Sequence, residues 1–155
     1  MLAGDSCAGR DYMTAKTQRR EETEEKRMTK TTARQEELVT QFIDAAIEVH
    51  RELGPGYDEA VYENALVVEM DLRGIPYERQ KIIEVVYKGV PVGEGRIDLF
   101  LGGEVVVELK AVDQFNPKHM AQVISYLKTV KKPLGLLVNF HEALLKKGLK
   151  RILYS

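Results

Sequence analysis

The stretch Arg96-Ile97-Asp98-Leu99-Phe100-Leu101-Gly102-Gly103-Glu104-Val105-Val106-Val107-Glu108-Leu109-Lys110 gathers residue types that can do chemistry. Two apolar runs meet at Gly102-Gly103, whose tolerance of positive φ suits a tight two-residue hairpin turn. Glu108 and Lys110 are two apart, so a strand points both to one face. Asp98 lies on the partner strand, where a hairpin closing at the glycines brings it toward the same end. Two carboxylates and an ammonium ending an otherwise apolar sheet are costly to hold unless they bind something. A divalent metal and a phosphate suit such a site. The competing reading is structural: acids and lysines flank many strands as solvated ends or ion-pair partners.

The elements that position these groups follow from patterning. The chain has 155 residues, a net charge of −1 and one cysteine, Cys7. One folded domain of this length can bury a core. No global positive field marks a nucleic-acid ligand, so local patches must carry that role. A lone cysteine fits a reducing, cytoplasmic setting. No run approaches the roughly 20 apolar residues of a membrane span. Residues 1–33 are poor in large apolar side chains and read as a disordered or frayed, charged tail. Through Arg34 its eight basic and six acidic residues nearly cancel. Residues 34–155 form the folded domain.

Thr32-Ala-Arg-Gln35 has the form of a capping box, and Leu38, Phe42, Ala45, Ala46, Val49 and Leu53 then recur at helical spacing. Gly54-Pro55-Gly56 ends that helix. A second helix spans about 58–73, with Val61, Ala65, Val68 and Leu72 as its core stripe and Gly74 as its stop. Strands follow over 79–87, 90–101 and 105–110, with a turn at Lys88-Gly89. Gly93 and Gly95 signal a bulge or a close backbone approach. Asn116 with Pro117 opens a helix that buries Met120, Val123, Ile124 and Leu127. Leu134-Gly-Leu-Leu-Val-Asn-Phe140 reads as a strand buried on both faces, and 149–154 as a short edge strand. The order α-α-β-β-β-α-β predicts an α/β fold with a mixed central sheet flanked by helices.

Gly56-Tyr-Asp-Glu59-Ala-Val-Tyr62 matches the G-x-x-E-x-x-Y signature of the GxxExxY proteins, a branch of the PD-(D/E)XK nuclease superfamily. Leu53-Gly-Pro-Gly56, Gly74-Ile-Pro76, Glu78-Arg-Gln80 and Val107-Glu-Leu-Lys110-Ala-Val112 resemble that family too, over about residues 37–153. The resemblance implies the restriction-endonuclease-like α-β-β-β-α-β core, with Asp98, Glu108 and Lys110 as its D…ExK set. It implies Mg²⁺ or Mn²⁺ held by Asp98, Glu108, the Leu109 carbonyl and, from the first turn of its helix, Glu59. Lys110 would then orient water or stabilise developing negative charge. Glu59 shares a helical face with Leu66 and Met70, an odd place for a solvated acid. Tyr62 reads as a packing residue and Glu63 as a surface one.

Gln122 and Tyr126 are four apart on the helix after the hairpin. As an isolated pair they are an ordinary polar shoulder; Gln122-Val-Ile-Ser-Tyr126 also resembles the Q-x-x-x-Y motif of RecB-like exonucleases in the same superfamily. That implies Gln122 positions water or phosphate, while Tyr126 holds the helix or stacks on DNA. Lys118 and His119, in the helix's first turn, are candidates to touch phosphate. His50, His119 and His141 are not spaced as a metal triad. The implied activity is metal-dependent hydrolysis of DNA phosphodiesters, exonuclease-like. The alternative is a nuclease-fold module that binds nucleic acid or protein without catalysis. Near-neutral charge and small size leave little surface for gripping DNA, which favours a protein partner or a homo-oligomer.

Overall fold

The computed structural model describes residues 31–155; the expected tail, 1–33, lies outside them except for its last three residues, and Ala33 already begins the first helix. Two helices, α1 (Ala33–Leu53) and α2 (Glu59–Arg73), precede three strands, β1 (Tyr77–Tyr87), β2 (Val90–Leu101) and β3 (Val105–Lys110). Helix α3 (Pro117–Val130), strand β4 (Leu134–Asn139), a 3-10 turn (Leu145–Gly148) and β5 (Leu149–Leu153) complete the domain. The five strands run in spatial order β1-β2-β3-β4-β5. Only β3 and β4 pair parallel, because α3 returns the chain across the sheet.

Strand alternation sorts the core into two layers. Val105, Val107 and Leu109 of β3, with Leu134, Leu136 and Val138 of β4, pack with α1 and α2. Val106 and Leu137 pack on the other face with Val123 and Leu127 of α3. This makes β4 buried along its whole length. No described helix is long and apolar enough to cross a membrane.

Several local expectations need correction. The connection after β2 has three residues, Gly102–Glu104, closed by a 2.8 Å bond from the Glu104 N–H to the Leu101 carbonyl. Glu104 accepts from Gln35 at 2.8 Å and from Lys132 at 3.2 Å, so Gln35 ties α1 to this turn. The buried stripe of α2 is Tyr62, Glu63, Leu66 and Met70, whereas Val61, Val68 and Leu72 are exposed. Met120 is also exposed, because the sheet-facing line of α3 runs through Val123 and Leu127.

Candidate metal centre

The ladder between β2 and β3 ends at the pair Leu99–Val107. Beyond it the strands part, and two carboxylates take over the hydrogen bonds that further pairing would have made. The Asp98 N–H donates to Glu108 Oε1 at 3.1 Å, and the Leu109 N–H donates to Asp98 Oδ2 at 2.9 Å. Asp98 and Glu108 therefore sit side by side in the fork, with Glu108 buried and Asp98 half-buried. In a strand the carbonyl of a residue points to the same side as its N–H, so the Leu109 carbonyl also faces the fork.

Burial, then the charge of Asp98, pushes the Glu108 carboxyl up to about 9, with Lys110 giving partial relief. Asp98 is raised too, chiefly by burial, against the opposing bond from the Leu109 N–H. At neutral pH Glu108 thus keeps its proton. Two desolvated carboxylates held this close form a hard-oxygen site that a divalent cation would relieve. Among the described residues no three acidic, histidine or cysteine side chains close into an all-protein cage. Mg²⁺ and Mn²⁺ do not need one: they use one or two carboxylates and leave room for water and phosphate.

Helix α2 delivers Glu59 to the rim. Gly56 adopts φ 117°, a turn closed to other side chains. The Tyr62 hydroxyl donates to the Gly54 carbonyl at 2.6 Å and accepts from the Tyr57 N–H at 3.2 Å, while its ring stacks 4.4 Å from Phe140. Gly56 and Tyr62 together fix the start of α2, and Glu59 follows in its first turn. The Glu59 carboxyl is raised by burial and by the nearby Asp98 charge, with Lys110 opposing. Glu59 lines a cleft of about 250 Å³ with Ala60, Glu63 and Gln80. A larger cavity, about 580 Å³, lies by His50, Pro55 and Leu144 and has no carboxylate in its lining.

Glu63 is buried rather than superficial, because Arg79 donates to it at 3.0 Å and Gln80 donates to its other oxygen. The Gln80 amide also reaches Asp98 Oδ1 at 3.3 Å. Sequence reasoning gave Gln80 and Arg79 no role. The available signals were the family-like Glu78-Arg-Gln80 and the run of four polar residues Glu78-Arg79-Gln80-Lys81, which breaks the alternation of a half-buried strand.

The strand pair also changes face here. Leu99 packs with α1 and α2, while both Ile97 and Phe100 pack with α3, although they are an odd number of residues apart. Arg79 pairs with Leu99 and Lys81 with Ile97, so Gln80 and Asp98 drop out of the ladder between them; a separate register shift falls farther along, between Val85 and Val86, where Val92 is skipped. Distortions of this kind re-aim a side chain. Here they set Asp98 among Gln80, Glu108 and the α2 acids.

On the opposite layer, Asn116 caps α3 through the Lys118 and His119 N–H groups, and His119 Nδ1 accepts in return from the Asn116 N–H at 3.2 Å. That bond places the remaining imidazole proton on Nε2. Burial and the Lys110 charge lower the His119 pKa, so the ring is a neutral donor at pH 7. Lys118 is exposed in the same turn. Gln122 donates to the Tyr126 hydroxyl at 3.1 Å, which also accepts from the Arg96 N–H at 3.4 Å. The Tyr126 ring lies where a side chain on Gly95 would be, 2.7 Å from the position of an added Cβ, so the close backbone approach at Gly95 is against α3. Asn139, at the end of β4 beside Lys110, holds Val112 by two hydrogen bonds of 3.1 and 2.7 Å. It anchors the chain just past Lys110.

No curated protein matches the chain. A family model of the PD-(D/E)XK nuclease superfamily, whose members are generally phosphodiester-hydrolysing, matches residues 36–152, from α1 through β5. The match runs through the forked strands and both flanking helices, and the chain belongs to the PD-(D/E)XK nuclease superfamily.

Proposed function

We propose that the protein is a Mg²⁺- or Mn²⁺-dependent deoxyribonuclease of the GxxExxY branch, exonuclease-like in action. The observation that carries this reading is the Asp98–Glu108 fork, where a half-buried and a buried carboxylate cap the end of a ladder and Glu108 retains its proton to about 9. Asp98, Glu108 and the Leu109 carbonyl would hold the cation, with Glu59 on α2 reaching it through a water. A bound divalent ion supplies Lewis acidity toward water and phosphate oxygens.

The chain's own residues do the rest. Lys110, on the face of β3 shared with Glu108, presents a compact positive charge to the oxygen anion that develops on the phosphate. Gln122 hydrogen-bonds water or a phosphate oxygen, while Tyr126 braces α3 against the β1–β2 hairpin. Lys118 and the His119 Nε2–H hold the phosphate next along the strand. A partner or second copy would extend the grip on DNA, and the single cysteine suits a cytoplasmic site of action.

The test is cleavage of linear and covalently closed DNA by the full-length protein, wild type, Asp98→Asn and Gln122→Ala. Wild type should degrade linear DNA only with Mg²⁺ or Mn²⁺. Asp98→Asn should be folded and inactive, and Gln122→Ala slow with unchanged metal affinity. Cleavage in excess chelator, or full activity of Asp98→Asn, would overturn the reading. Cutting of closed circles would replace exonuclease with endonuclease action.

A further inference from the structure

Gln80 departs furthest from ordinary strand geometry. It holds φ 52° within β1, a left-handed conformation in which any Cβ is disfavoured and which glycine adopts freely. Strand neighbours normally point to opposite faces, yet Arg79 and Gln80 both bond Glu63. The left-handed turn is what swings Gln80 to that side. Its amide nitrogen then has one N–H for Glu63 and one for Asp98. Glu63 is a fixed anchor, because it is buried and its second oxygen is held by Arg79, which also bonds Asn64.

We propose that Gln80 is a positioning residue for the divalent cation: its unfavourable backbone is retained because it aims an amide that holds Asp98 ready to coordinate. The inference rests on the metal-centre reading above. Glycine would suit the backbone better and lacks the amide. The choice of a neutral donor is chemically specific. Asp98 stands among Glu59, Glu63 and Glu108; the Leu109 N–H holds its Oδ2, and Gln80 adds the hold on Oδ1 that keeps the carboxylate from rotating away from those neighbours. Lysine or arginine at this position would restrain it by neutralising it, and so compete with the cation. An amide restrains Asp98 and leaves its charge available.

The test is Mn²⁺ binding to the full-length protein without nucleic acid, followed by calorimetry and electron paramagnetic resonance, for wild type, Gln80→Gly and Gln80→Ala. Gln80→Gly should melt near the wild-type temperature, since relief of the left-handed backbone offsets the lost bond to Glu63. Its Kd for Mn²⁺ should nevertheless rise about 10- to 100-fold, the range for losing a group that orients a ligand. Gln80→Ala should lose affinity equally. Wild-type affinity in both variants would overturn the role of Gln80 and leave the metal centre standing. No Mn²⁺ uptake by wild type would overturn the metal centre, and this inference with it, before any substitution is made.

Discussion

Replacing Glu108 with glutamine should stabilise the metal-free protein, by an amount that grows with pH. The Glu108 carboxyl rises from an ordinary 4.5 to about 9 in the fold. Between those values the unfolded chain releases a proton that the native chain keeps, so native stability is fullest below 4.5 and declines as pH rises toward 9. At pH 7 the interval above 4.5 corresponds to about 3 kcal/mol at 1.36 kcal/mol per unit. Glutamine carries no titrating proton, and its amide can donate to Asp98 while its oxygen still accepts the Asp98 N–H. Glu108→Gln should therefore match wild type near pH 4 and exceed it by about 3 kcal/mol at pH 7, roughly 10 °C in Tm for a domain of this size. Urea unfolding in excess chelator at several pH values between 4 and 8 measures the gap. A gap independent of pH, or a less stable variant at pH 7, would refute the proton assignment.

The same proton must leave before a cation binds. Mg²⁺ or Mn²⁺ affinity should therefore rise about tenfold per pH unit from 6 to 8 and flatten above 9, with about one proton released, visible as a buffer-dependent binding heat. An affinity flat across that range would count against a protonated Glu108. Tyr62→Phe keeps the stack on Phe140 but strands the Gly54 carbonyl and the Tyr57 N–H, so it should cost about 1 kcal/mol by urea unfolding. No loss would mean that solvent replaces the hydroxyl and that the Gly56 turn stands alone.

The fold was legible wherever local chemistry decides it. The Asn116-Pro117 cap, the stop at Gly74, the bounds of β2 and β3 and the fully buried β4 all depend on a few adjacent residues. Helix α2 was misread because Glu59–Arg73 carries two apolar lines, through Val61, Val68 and Leu72 and through Tyr62, Leu66 and Met70. The hydroxyl partners of Tyr62 choose between the lines, and they lie in the preceding turn. Glu59, already noted on the face of Leu66 and Met70, pointed to the second line. The face change at Gln80 and Asp98 was not legible, since glutamine carries no preference for a left-handed backbone. Glu63 looked superficial because Arg79, its ion partner, arrives from another element.

The fork also gives the protein two internal sensors. Most strand amides donate to carbonyls, which keep their places as ligands come and go. The amides of Asp98 and Leu109 donate to the carboxylates of Glu108 and Asp98. Whatever redistributes charge on those two groups, a proton or a cation, must alter the shielding and the solvent exchange of these two main-chain hydrogens directly. Their resonances in a nitrogen-15 spectrum would report occupancy of the centre residue by residue, without substrate and without turnover. An inactive variant would be as readable as an active one.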